Sequence, residues 1–221
     1  AEVAPSSIGG RSTVAVRSPS HPVARQLLEA VGAPISAPSA NRSGRISPTR
    51  AEHVMADLAD EPELMILEGG SCTVGLESTV LDLSRARPMV LRPGSITKDM
   101  LKPVIGDVAE PLYAGQGASP GTSLRHYAPR TRAELVERSA IERRLSSCPE
   151  PVAVLAFSAD VVPAPHVAIV MPSDPKQYAA KLYEALREAD GLDRSLILVE
   201  RPADSTGVWE AIHDRLRRAT T

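Results

Sequence analysis

The chain has 221 residues, 25 basic and 27 acidic, with 43% hydrophobic and 24% charged side chains and a net charge of -2. This balance fits a soluble globular protein of one or two domains and gives no sign of a dedicated nucleic-acid or membrane-surface binder. Two cysteines are too few for a disulfide framework or a metal cluster and fit a reducing, cytoplasmic setting; no apolar run approaches the roughly 18 residues of a membrane span, and no signal peptide is visible.

In chain order, "STVAVRSP" reads as a buried strand ended by Pro19. "HPVARQLLEAVG" reads as a short helix: Pro22 suits the first turn, Leu27, Leu28 and Val31 form an apolar stripe, and Gly32 stops it. "PISAPSAN" is a short strand running into a loop. "SPTRAEHVMADL" predicts a helix with Ser47 as its cap and Pro48 at the first helical position. "ELMILEGG", "STVLDLS" and "PMVLRPG" are three further strands. Residues 106–132 form a linker rich in glycine and proline that also carries Arg125, His126 and Tyr127. From 133 on, strand and helix alternate: "ELVE", "SAIERRLSS", "VAVLAFS", "HVAIVMPSD", "DPKQYAAKLYEALREADG", "SLILVE" and "GVWEAIHDRLRRA". The long helix is the clearest, with Asp174 as cap, Pro175 next, and Tyr178, Leu182 and Leu186 on one face. The expected organisation is α/β throughout: residues 1–105, a linker over 106–132, and a small open-sheet, Rossmann-like domain over 133–221.

No glycine-rich phosphate loop, dinucleotide fingerprint, metal spacing or nucleophile elbow is present. The polar groups that remain sit at expected strand ends: Thr13 with Arg17, Ser39 with Asn41, Ser43 and Ser47, Ser78 with Thr79, and Arg92. Strand ends are where α/β sheets gather ligands. Hydroxyls and an amide suit phosphate or amino-acid oxygens, and an arginine can fork onto a carboxylate. Taken singly, each cluster is better explained by turns and caps. Asn41 stands out as the only asparagine in the chain.

Together, "TVAVRSPSHPVA", "APSANRSGRISPT", "GLESTVLDLS", "VLRPGSIT" and "PGTSLRHYAPRT" occur in order over essentially the whole chain. In this the chain closely resembles the threonylcarbamoyl-AMP synthase family in its long two-domain form, with a YrdC-like catalytic fold. The resemblance implies a nucleotidyltransferase that joins L-threonine, bicarbonate and MgATP into threonylcarbamoyl-adenylate for tRNA modification. It implies ATP contacts from Thr13, Ser39, Asn41, Ser47, Arg92 and Tyr127, and threonine contacts from Arg17, Ala37 (through its backbone) and Ser78. Tyr127 would close over the nucleotide as part of a lid. No catalytic nucleophile or metal ligand is implied, and tRNA or downstream tRNA-modification proteins are the expected partners. The family's early lysine–arginine pair for the triphosphate has no counterpart, because no lysine precedes Lys98. The expectation is therefore that the N-terminal half of the catalytic domain is lacking and that the chain alone is inactive. Two other readings stay open at this point. One is a non-catalytic RNA-binding module using Arg11, Arg17, Arg42, Arg45 and Arg92. The other is an interaction fragment carried by the C-terminal domain.

Overall fold

The computed structural model describes residues 12–109 and 126–220, together with Ile8 and Gly10. The first region contains helix α1 (Pro22–Val31), helix α2 (Ala51–Leu58), strands β1 (Val80–Asp82) and β2 (Met89–Arg92), and helix α3 (Lys98–Ile105). Strand β3 (Ala133–Val136), helix α4 (Ile141–Ser146), strands β4 (Ala153–Ala156) and β5 (Val167–Val170), helix α5 (Pro175–Gly191), strand β6 (Ile197–Glu200) and helix α6 (Val208–Ala219) follow.

The second region is the expected open α/β sheet. Its strands are all parallel, in the order β3-β6-β4-β5. A parallel sheet is covered on both faces, so its strands are continuous apolar runs whose alternate residues point opposite ways. Ala153, Leu155, Ile197 and Val199 pack with Tyr178, Leu182 and Leu186 of α5 and with Trp209, Ile212 and Leu216 of α6. Val154, Ala156 and Leu198 pack on the other face with Ile141 and Leu145 of α4. Helix α5 begins as its sequence dictates: the Asp174 carboxylate accepts from the Gln177 N–H at 2.9 Å, and Pro175 takes the first turn.

The first region differs from its sequence reading. Helix α1 forms as expected, closed by Gly32 at φ 65° with its N–H on the Leu28 carbonyl. "STVLDLS" and "PMVLRPG" become β1 and β2, an antiparallel pair. "STVAVRSP", "PISAPSAN" and "ELMILEGG" do not form strands, although the chain there is rich in β-formers. A strand is stabilised by a neighbour that takes its ladder hydrogen bonds and covers its side chains. Among the described residues no strand lies beside these segments, and Val16 and Met65 remain 87% and 83% exposed. Helix α3, capped by Thr97, was hidden by its internal Pro103. Up to residue 109 only Ile46 and Val90 are buried apolar side chains among the described residues, so the core of the molecule lies in residues 126–220. Among the described residues no helix is long and apolar enough to cross a membrane.

Candidate active site

Four short segments of the chain meet against α5 and α6. The first is the turn over 41–47. The Asn41 side-chain amide donates to the Arg42 and Arg45 carbonyls, both at 3.0 Å, and so holds the turn closed. Its Oδ1 is buried without a hydrogen-bond partner. Ser47 does not cap helix α2, as its position before Pro48 suggested. The cap position belongs to Arg50, which makes no side-chain cap. Instead the Ser47 hydroxyl donates to Glu77 Oε1 at 2.6 Å, because a charged carboxylate is the stronger acceptor.

The second segment runs from Gly75 to Thr79. Gly75 has φ +74°, and a Cβ built there would lie 2.3 Å from the Ala179 carbonyl oxygen of α5. The loop therefore reaches α5 at a distance only glycine permits. Glu77 follows, and its Oε2 accepts from the Tyr183 hydroxyl at 2.9 Å and from Arg215 Nε at 2.8 Å. The third segment, Arg92 to Gly94, packs on the second. Arg92 donates through Nε and Nη2 to the Ser78 carbonyl at 3.1 and 2.9 Å. A Cβ on Gly94 would lie 2.4 Å from the Thr79 nitrogen. The fourth segment is His126 to Ala128. Ala128 bridges to Arg45 and donates to the Gly44 carbonyl. Tyr127 is buried against Tyr183, with ring centroids 5.6 Å apart, and the Arg215 guanidinium sits 5.5 Å from its ring centre.

Arg215 is the joint of this assembly. Its side chain is 0% exposed and bonds Glu77, Asp214 and the Pro93 carbonyl. Asp214 is in turn held by Arg218 through both carboxylate oxygens, at 3.0 and 2.8 Å. From α5, Arg187 donates to the Ile46 carbonyl at 2.5 Å and pairs with Asp57 at 2.6 Å. Burial works to raise the Glu77 pKa. The Arg215 charge and the hydrogen bonds from Ser47 and Arg215 outweigh it and hold the carboxyl below its ordinary 4.5. Burial keeps the His126 pKa below its ordinary value, with Arg218, Arg92 and Arg215 adding to the effect against Glu77.

The depressed Glu77 pKa makes a stability statement. A carboxyl whose folded pKa lies below its unfolded value stabilises the fold fully above the unfolded pKa, and the gain is lost as pH falls through the folded one. The stability difference between the wild type and Glu77→Gln should therefore be full at pH 7 and shrink as pH falls below about 4.5. Urea titrations at a series of pH values measure it, and a difference that stays constant to pH 3 contradicts the assignment.

Of the residues singled out from sequence, the structure thus joins Ser47, Ser78, Arg92 and Tyr127, with Asn41 behind them. Thr13, Arg17, Ala37 and Ser39 are exposed, and among the described residues no hydrogen bond ties them to that group. Tyr127 is an anchor in the core, 2% exposed, rather than a ring standing free above a cleft. Arg125 and the rest of the expected lid over 110–125 lie outside the described residues, as does Arg11. The expected basic surface is not formed as read: Arg42 pairs with Asp60 and Glu61, and Arg92 is buried on Ser78. Sequence reasoning passed over Glu77, Tyr183, Arg187 and Arg215. Glu77 stands inside "GLESTV" beside a singled-out serine and was within reach. The other three look like ordinary helix residues.

Two family models together cover the chain. One, described as "Telomere recombination" (Sua5, YciO and YrdC), matches residues 1–94. The other, "Threonylcarbamoyl-AMP synthase, C-terminal domain", matches residues 96–221. The chain belongs to the threonylcarbamoyl-AMP synthase family. The family member from Pyrococcus abyssi is 36% identical over 99% of this chain and 67% of its own length. The one from Bacillus subtilis is 37% identical over 98% of this chain and 66% of its own. The crystal structure of P. abyssi Sua5 complexed with L-threonine superposes with a TM-score of 0.88 at 33% identity, covering 99% of this chain and 67% of that one. The chain thus spans about two thirds of the length of these threonylcarbamoyl-AMP synthases.

Proposed function

We propose that this chain supplies the threonine-contacting and adenylate-contacting part of an L-threonylcarbamoyladenylate synthase acting in tRNA modification. The observation that carries the reading is the convergence of the Ser47 hydroxyl, the Ser78 backbone carbonyl, Arg92 and the 126–128 segment on one group of contacts, in a chain of this family. The P. abyssi neighbour is a complex with L-threonine. Threonine, bicarbonate and MgATP are the proposed substrates. Among the described residues no group of three or more His, Cys, Asp or Glu is placed to hold a metal ion. The described residues do not form a metal site of that kind, and Mg²⁺ enters as part of the nucleotide substrate.

The chemistry needs no protein nucleophile. Bicarbonate takes up a proton and loses water to give carbon dioxide, and threonine's amine adds to it and loses a proton to give a carbamate. A carbamate oxygen attacks the α-phosphorus, the bond to the β-phosphate bridging oxygen breaks, and pyrophosphate leaves. The protein's part is positioning and charge stabilisation. Arg17, which is exposed, suits the amino-acid carboxylate. Ser47 already gives its proton to Glu77, so toward a ligand it offers lone pairs and suits a ribose hydroxyl better than a phosphate oxygen.

The test is pyrophosphate release that requires threonine and bicarbonate together. It is run on the 221-residue chain and on the same chain joined to the part of the P. abyssi relative that it does not span. We expect release from the second and none from the first. No threonine-dependent release from either overturns the reading.

A further inference from the structure

We propose that Glu77 and Arg215 are positioning residues, and that through them α6 braces the two hydroxyl-bearing segments around Ser47 and Ser78. The inference rests on the functional reading above for its ligand and on the structure alone for the brace. The geometry is specific to these two side chains. Glu77 is the residue before Ser78, and its two carboxylate oxygens are divided. Oε1 takes the Ser47 hydroxyl, while Oε2 takes Tyr183 of α5 and Arg215 of α6. Arg215 then spreads over three further points. It reaches the Glu77 carbonyl at 3.4 Å, the Pro93 carbonyl at 3.1 Å and Asp214 at 2.7 Å. One guanidinium therefore touches the backbone just before Ser78 and the backbone just after Arg92, which itself grips the Ser78 carbonyl.

A simpler contact would have held the domains together. Leu76 packs on the sheet's core and Gly75 lies on the α5 backbone, and neither needs a buried charge. A fully buried arginine forked onto a carboxylate and two carbonyls adds orientation, because each bond is directional and the partners belong to two segments, Glu77 to one and Pro93 to the other. Asp214, itself held by Arg218, accepts from the guanidinium and offsets its charge. The brace leaves the exposed Ser78 side chain to a ligand while fixing where the Ser47 and Ser78 backbones stand. Neither Glu77 nor Arg215 contacts substrate in this scheme.

Hydrogen exchange followed by mass spectrometry on the 221-residue chain tests it, with Glu77→Gln and Arg215→Lys as variants that keep shape. Peptides over 76–82 and 89–94 should exchange at least tenfold faster than in the wild type, while peptides over β4 and β6 stay within twofold. Unchanged exchange over 76–82 in a folded variant overturns the brace. L-threonine is then added as the probe. It should protect 76–82 in the wild type, and the variants should need at least tenfold more of it. Faster exchange with an unchanged threonine requirement would make the pair merely structural and overturn the positioning role. A wild type that shows no threonine response counts against the functional reading, and the brace is then decided by the exchange arm. Arg215→Met, which lacks both the charge and the fork, serves as the severe control. An Arg215→Lys chain, with the charge but no fork, supports the orienting role if it is little better protected than Arg215→Met, and wild-type protection in Arg215→Lys overturns it.

Discussion

Arg215→Met should lower the stability of the chain by about 3–5 kcal/mol, the usual penalty for breaking a buried ion pair from one side. The methionine fills much of the space, so lost packing is a small part of the effect. The larger part comes from what is left behind: the Glu77 and Asp214 carboxylates lose the guanidinium between them, and the Glu77 and Pro93 carbonyls lose a donor. Removing both charges should therefore cost less than the two single changes added together. In a cycle with Glu77→Gln the coupling should reach about 1–3 kcal/mol, as expected for groups in one network. Urea denaturation measures all four proteins. A loss below about 1 kcal/mol for Arg215→Met, within the range of exposed pairs, would show that the guanidinium is solvated.

Gly75→Ala is the second change with a large expected effect. The left-handed backbone alone costs a residue with a side chain about 1–2 kcal/mol. Here the new methyl group would also lie 2.3 Å from the Ala179 oxygen and 2.5 Å from the Ala180 Cα, both backbone atoms of a packed helix. Neither can turn aside as a flexible side chain would, so the loop must lift away, at about 1–3 kcal/mol more. Gly32→Ala is the matched control: φ is +65°, yet nothing lies within 4 Å of the added atom. The expected result in thermal or urea melts is a loss of about 1–2 kcal/mol at Gly32 and at least twice that at Gly75. Equal losses at the two positions would mean that the loop does not rest on the helix.

The parts of the fold that could be read from sequence are those whose signals are local. Helix α5 declares itself through Asp174, Pro175 and a four-residue apolar repeat, and the strands of the parallel sheet through short apolar runs bounded by turns. "TVAVR" has the same composition as those strands. It was misread because β-propensity describes a fit to a neighbouring surface, and no neighbour stands there among the described residues. The candidate site was legible in part, in Ser47, Ser78 and Arg92, but not in what holds them. Ser47 before a proline looks like a cap, while its actual partner, Glu77, is thirty positions away. Arg215 in "HDRLRR" looks like one more solvated charge on a closing helix. Nothing in local sequence distinguishes it from Arg217, which is 74% exposed two positions on. Long-range polar contacts of this kind leave no periodic trace.

The uneven placing of the core has a calorimetric consequence. Unfolding raises heat capacity mainly because apolar surface becomes wet, at about 12–15 cal/mol/K per residue in ordinary domains. A fully cored chain of this length would show about 3 kcal/mol/K. Residues 12–109 already present Val14, Val16, Met65, Leu83 and Val104 to solvent, and their melting wets little that was dry. The measured increment for the isolated chain should fall to about half the full value. Its stability curve should accordingly be broad and shallow against temperature, set almost wholly by the parallel sheet and the helices that cover it.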